Sequence, residues 1–193
     1  MTADELGVAD AGSARLGLGE LRSLIRTVPD FPAKDILFRD VTTLIGDGSG
    51  FASTVAHMAD RSAQAGAEAI AGVEARGFIF GAAVAARLGL PFVPVRKPGK
   101  LPVPVLAIDY ALEYGTDTLE VDPGAIGDGQ RLVLVDDLIA TGGTALAAAD
   151  LLRRAGGRVA LALFLIDLPD LGGARRLRDA GLIVDALLDF PGH

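Results

Sequence analysis

The sequence predicts an α/β fold, a mainly parallel twisted sheet flanked by helices, and three observations carry that prediction. From Ala69 onward, short runs rich in Val, Ile and Leu alternate with segments of helical composition. Those runs are apolar throughout instead of alternating apolar with polar, as strands covered on both faces must be. The stretch RLVLVDDLIATGGT, Arg131–Thr144, joins one such run to a helical segment through an acid pair and a Thr/Gly turn, the joint of a βαβ unit.

Taken in order, residues 1–14 (MTADELGVADAGSA) mix acids with small residues and read as a disordered acidic tail, with no basic start or apolar core of a signal peptide. Residues 15–193 read as one domain. GLGELRSLIRTV places Leu18, Leu21, Leu24, Ile25 and Val28 at the spacing of one helical face and predicts an amphipathic helix over 17–28. PDFPAKDILFRDVTTLIGDG holds two prolines and no sustained period, so it is expected to be irregular, a ligand wall around Phe38 and Arg39. GFASTVAHMADRSAQAG is helical. AIAGV, PFVPV, RLVLV, RVALALFLI and LIVDALL then read as strands, and GFIFGAAVAARLG, TALAAADLLRRAGG and LGGARRLRDAG as helices. Arg96–Val121 breaks the alternation with three prolines and a basic start. An insertion of that length is expected to be functional, here a hood over the ligand with a β-ribbon from YALEY to DTLEV. The hood takes in about residues 15–45, and the mobile loop about 97–121.

Composition narrows the chemistry. Half of the 193 residues are hydrophobic and the formal charge is −7, so disorder and broad binding to nucleic acid are both disfavoured. There is no cysteine, which excludes disulfides and thiolate metal sites, and His57 and His193 are the only imidazoles. Any metal is expected to be Mg²⁺ brought in by a phosphate ligand. The most apolar windows are too short or too interrupted to cross a bilayer, and a cytoplasmic protein without membrane contact is expected.

The turn Ala140–Thr144 lacks the Lys-Ser/Thr ending of a Walker A loop, and no GxGxxG follows the first strand. What remains is a lysine-free phosphate cradle. Gly142 and Gly143 let the backbone approach, Thr141 and Thr144 add hydroxyl donors, and Gly143 is expected at positive φ. Asp136 and Asp137, expected at the strand's carboxyl end, would repel a phosphate and so should face vicinal hydroxyls of a sugar. An isolated acid pair is ordinarily a turn cap; followed by ATGGT it is far more specific. His57, among Val55, Ala56, Met58 and Ala59, is expected to be structural.

VLVDDLIATGGT resembles the 5-phosphoribosyl-1-pyrophosphate (PRPP) motif of the type I phosphoribosyltransferases. FPAKDILFRDVTTLI, GVEARGFIFG, VPVRKPGKLP, LEYGTDTLE, DLGG and the closing FPGH resemble their adenine-using members in the same order, from about Leu21 to His193. The resemblance implies the type I phosphoribosyltransferase fold and the transfer of the phosphoribosyl group of PRPP to adenine, giving AMP and pyrophosphate in purine salvage. It implies Asp136 and Asp137 on the ribose, and Ala140, Thr141, Gly142, Gly143 and Thr144 on the 5′-phosphate. Glu74, Ala75, Arg76, Arg96, Lys97 and Lys100 are implied at the pyrophosphate, with Arg76, Lys97 and Glu113 catalytic. Leu37, Phe38 and Arg39 become the adenine wall and Tyr114 helps close the hood. Mg²⁺ is held mainly by substrate and water, and a homodimer is implied. Rivals are a transferase for xanthine, hypoxanthine or guanine, and a non-catalytic PRPP-sensing regulator, although the one added segment is acidic where a regulator would carry a basic one. Val103–Asp109 (VPVLAID) is more apolar than expected for a mobile loop, and should rest closed or pack against a partner.

Overall fold

The computed structural model describes residues 15–111 and 115–192. The chain runs through α1 (Leu18–Ser23), β1 (Arg26–Pro29), β2 (Leu37–Asp40), α2 (Thr42–Gly46), α3 (Gly48–Gln64), β3 (Ala69–Val73), α4 (Arg76–Leu88) and β4 (Phe92–Val95). It continues through β5 (Leu106–Ala111), β6 (Thr116–Val121), β7 (Arg131–Ile139), α5 (Gly143–Arg154), β8 (Arg158–Asp167), α6 (Gly173–Asp179) and β9 (Val184–Asp189). The acidic tail, residues 1–14, lies outside the described residues.

The predicted parallel sheet is present, with five strands in the order β4-β3-β7-β8-β9. Alternation along β7 splits the core in two. Leu132 and Leu134 face a cluster with α5, α6 and the β6 residues Leu119 and Val121. Val133 and Val135 face Leu21, Met58, Phe80 and Val84 of α1, α3 and α4. Pro94 is tolerated because β4 is an edge strand, where a missing N–H costs no ladder bond. From β3 the chain moves outward to β4, and its next sheet strand, β7, lies on β3's other side. The β3/β7 boundary is therefore a topological switch point, and the crevice beyond their carboxyl ends is where such sheets hold ligands.

Two expectations fail near the amino end. The helical spacing read over 17–28 is used only to Ser23, and Arg26–Pro29 instead pair antiparallel with Leu37–Asp40, Val28 opposite Phe38. Thr27 and Val28 are β-branched and suit a strand, but the partner that selects it lies beyond the window of a local period. The segment expected to be irregular accordingly holds β2 and α2.

The hood ribbon is present and longer than expected. β5 begins at Leu106 and pairs with β6 from Leu106↔Val121 to Ala111↔Thr116. Arg96 and Glu120 exchange two backbone bonds of 2.8 Å, joining the ribbon to the chain leaving β4. Leu106, Ile108 and Tyr110 pack against the core, which gives the apolar 103–109 segment its resting place, while Val103 stays 42% exposed.

Asp40 ends β2 and organises α2. Its Oδ1 accepts from the Thr42 amide (2.9 Å) and hydroxyl (2.6 Å), and its other oxygen pairs with Arg26. The Thr42 and Arg26 hydrogen bonds lower its pKa from 3.8 to about 2. A depressed carboxylate stabilises the fold above its unfolded pKa, and that stability is lost as pH falls through the folded value. Asp40→Ala is expected to cost about 1–2 kcal/mol at pH 7. In thermal unfolding, the gap from wild type should narrow steadily between pH 4 and pH 2; a gap that does not change with pH would show that the carboxylate's charge is irrelevant.

Candidate active site

β3 ends at Val73, and the chain passes through Glu74 and Ala75, joined by a cis peptide, into α4 at Arg76. Across the switch point, β7 does not stop at the acids as expected. Leu138 and Ile139 continue the ladder against Ile166 and Asp167, so Asp136 and Asp137 lie inside the strand's carboxyl half. Ala140, Thr141 and Gly142 turn into α5, which starts at Gly143. These segments and Lys97 enclose a cavity of about 270 Å³. It brings together Glu74, Ala75, Arg76, Lys97, Asp136, Asp137, Ala140, Thr141, Gly142, Gly143 and Thr144.

The turn is built by close backbone approach. Gly142, not Gly143, carries the positive φ, +78°, and a Cβ there would lie 2.9 Å from both the Gly173 carbonyl oxygen and Leu177 Cδ1. A Cβ on Gly143 would meet only the Ala111 carbonyl oxygen at 3.4 Å and Arg176 Nη1 at 3.8 Å. That side of Gly143 faces the end of β5 and α6. Two glycines that local reasoning assigned no role complete the geometry. Gly173 packs under the turn, its amide donating to the Ala140 carbonyl at 3.0 Å, and an added Cβ would sit 2.3 Å from that oxygen. Gly77 lets α4 abut β7, where a Cβ would lie 2.8 Å from the Val135 oxygen and 2.9 Å from Asp136 Oδ1. The paired glycines of LGG and the Gly after Arg76 were visible in sequence, but their packing partners were not.

Asp137 is 4% exposed and accepts from Arg76 Nε at 2.5 Å. Burial disfavours the Arg76 charge, but Asp137, and at longer range Asp136 and Asp40, outweigh it and raise its pKa. The Asp137 amide donates to Asp136 Oδ1 at 2.9 Å. Burial, then the charge of Asp137, push the Asp136 carboxyl well above the usual carboxylate range.

Glu74 faces the cavity but is committed to bracing its wall. Its Oε2 accepts from the Lys97 amide (2.9 Å) and from Arg96 Nε (3.1 Å), and these bonds lower its pKa. Arg96 also lies over the Phe78 ring and donates to the Lys100 carbonyl, 3.4 Å away. Arg96 and Lys100 are not among the residues lining this cavity, nor are Leu37, Phe38 and Arg39 of β2. Phe38 packs edge-on against Phe31, with ring centroids 5.1 Å apart. Arg39 donates to Thr27 Oγ1 (2.7 Å) and the Pro191 carbonyl (3.1 Å), so it ties the chain end to the β1–β2 ribbon. His57 Nε2 donates to the Leu16 carbonyl at 2.9 Å, a structural contact. Glu113, Tyr114 and His193 lie outside the described residues.

Comparison with known proteins converges on one family. A family model, the phosphoribosyl transferase domain, matches residues 45–181. The adenine phosphoribosyltransferase of Novosphingobium aromaticivorans is 68% identical over 174 residues, covering 90% of this chain and 98% of that one. The crystal structure of adenine phosphoribosyltransferase from Thermoanaerobacter pseudethanolicus superposes with a TM-score of 0.85 at 46% identity, over 90% of this chain and 99% of that one. The Saccharomyces cerevisiae enzyme, crystallised with an imino-altritol bisphosphate and adenine, has a TM-score of 0.82 at 35% identity, over 89% and 98% of the two chains.

The raised pKa of Asp136 has a stability consequence. A carboxyl whose folded pKa lies above its unfolded one is tolerated while protonated, and destabilises the fold as pH rises through that interval. Asp136→Asn is therefore expected to unfold at a higher temperature than wild type at pH 8, with the advantage fading toward pH 4. A variant less stable than wild type at pH 8 would contradict the burial argument.

Proposed function

The chain belongs to the phosphoribosyltransferase family, among its adenine phosphoribosyltransferases, and from that membership we propose that it transfers the 5-phosphoribosyl group of PRPP to adenine, releasing AMP and pyrophosphate in purine salvage. The observation that carries the reading is the cavity at the switch point. Besides Glu74, which braces its wall, one space gathers two adjacent carboxylates, a glycine turn at a helix N-terminus and two cations, the complement of a diol between two phosphate groups.

In this reading the amides of Ala140–Thr144, at the amino end of α5, cradle the 5′-phosphate, aided by the Thr141 and Thr144 hydroxyls. Asp136 and Asp137 accept hydrogen bonds from the ribose hydroxyls. Arg76, whose side chain is 54% exposed on its Asp137 tether, turns toward the pyrophosphate beside Lys97. Glu74 and Ala75 shape that end, and Arg96 and Lys100 extend its positive surface. Leu37, Phe38 and Arg39 form the adenine wall, with Phe38 on the base. Glu113 exchanges the proton at the purine imidazole, and Tyr114 closes the hood.

The reaction is a displacement at the anomeric carbon through a ribosyl cation-like transition state. Arg76 and Lys97 stabilise charge as pyrophosphate departs, and the ribbon limits water. The cavity's donors are oxygens, from carboxylates, hydroxyls and carbonyls, which suit a hard divalent cation. Mg²⁺ would be held mainly by PRPP oxygens and water, with Asp136 and Asp137 the carboxylates at hand, and would supply charge neutralisation for the departing group. A homodimer belongs to the same reading, supported by the exposed apolar side chains of Ile79 (40%) and Val103 (42%). A cytoplasmic location belongs to the same reading. Among the described residues, no helix is long and apolar enough to cross a membrane.

Incubation with PRPP, Mg²⁺ and each purine base tests the assignment. AMP should form from adenine, with hypoxanthine, guanine and xanthine poor substrates, because their ring edges invert the donor and acceptor pattern. Efficient nucleotide formation from xanthine or guanine would reassign the base. Gly142→Ala should raise the KM for PRPP about tenfold, because a Cβ at φ +78°, 2.9 Å from the Gly173 carbonyl oxygen and Leu177 Cδ1, displaces the turn from the position that cradles the phosphate. A wild-type KM in the folded variant would misplace the cradle.

A further inference from the structure

We propose that Asp117 is a positioning residue of the transfer reaction, which together with Tyr110 holds the Lys97 ammonium at the cavity and connects it to the phosphate turn. This deepens the function proposed above and rests on it. Tyr110 of β5 and Asp117 of β6 are directly opposite in the ribbon register, so their side chains share a face. That face receives Lys97. Its Nζ donates to Tyr110 Oη at 3.0 Å and pairs with Asp117 Oδ2, and the Tyr110 hydroxyl donates to the same carboxylate oxygen at 3.3 Å. The other Asp117 oxygen accepts from the Thr118 amide at 2.8 Å, which fixes the carboxylate's orientation. On its far side the Tyr110 oxygen lies 3.4 Å from Thr144 Oγ1, in the first turn of α5.

An ammonium has three donors, and among the described residues two are taken by Tyr110 and Asp117, leaving one for the cavity that Lys97 lines. A free lysine side chain would have to surrender its rotamer freedom as the transition state forms; this one is ordered beforehand. Burial disfavours the Lys97 charge, and the bonds to Asp117 and Tyr110 more than compensate, raising its pKa. A partly exposed ion pair contributes little to stability, so the expected consequence of its loss is kinetic.

The test uses the full chain and compares wild type, Asp117→Asn, Lys97→Met and the double variant by initial rates with adenine, PRPP and Mg²⁺, with thermal unfolding as control. Asp117→Asn should lower kcat about tenfold and leave the KM for PRPP within about threefold, the signature of an interaction realised in the transition state. It should add nothing to Lys97→Met, and Asp117→Glu should recover most of the rate. Should Asp117→Asn fail to fold, Tyr110→Phe takes its place, with lowered kcat expected in the Lys97 background alone. Wild-type kcat in whichever variant is used, or losses that multiply independently with Lys97→Met, would overturn the proposal while wild-type turnover keeps the function intact. A wild-type protein that forms no AMP would overturn both.

Discussion

Two adjacent carboxylates held inside the carboxyl half of the central strand are the constraint around which this protein is arranged. Asp137 is buried and Asp136 beside it half-buried, and desolvation together with the charge of Asp137 pushes the Asp136 carboxyl up. Arg76 offsets the cost, and it can do so because α4 begins with it, one peptide past Ala75. For α4 to begin there its second residue must lie against the β7 backbone, which only a glycine permits, since any Cβ on Gly77 would overlap the Val135 carbonyl. Ion pair, helix start and glycine are thus consequences of one electrostatically costly placement, kept because the acids face the cavity.

The same economy of space recurs at the phosphate turn. Gly142 at positive φ rests on Gly173, and the Ala140 carbonyl accepts from the Gly173 amide, so the start of α6 serves as the floor of the turn. The chain's end has a comparable supporting role. Phe190 lies under the guanidinium groups of Arg22 and Arg39, 4.3 and 5.0 Å from its ring centroid, and the carbonyls of Pro191 and Gly192 accept from Arg39. The closing FPG segment, which suggested no chemistry by itself, holds the β1–β2 ribbon in place.

The hood ribbon joins core to cavity through one face. Leu106, Ile108 and Tyr110 alternate inward along β5, the first two into the core and the last with its hydroxyl among Lys97, Asp117 and Thr144. An apolar ribbon is thereby anchored by burial at one end and by polar contacts at the cavity, which explains why the segment between Val103 and Asp109 is greasier than a freely mobile loop would be.

The sequence by itself determined the α/β class, the five core strands, the helices between them and the chemistry of DDLIATGGT. These are carried by contiguous residues, in apolar runs, helical periods and a turn whose residue types have few other uses. Tertiary structure alone decided that Arg26–Pro29 become a strand, because their partner at Leu37–Asp40 is selected by long-range pairing and not by local spacing. It also decided that Gly142 and not Gly143 takes the positive φ and has no room for a side chain, because the atoms that crowd it belong to Gly173 and Leu177. Glu74 became a brace and Lys97 a held cation only when the sheet set β3 beside β4 and the ribbon set Tyr110 beside Asp117. Sequence encodes what a residue can do through its own chemistry and near neighbours; which of those capacities is used depends on groups the chain brings close only by folding.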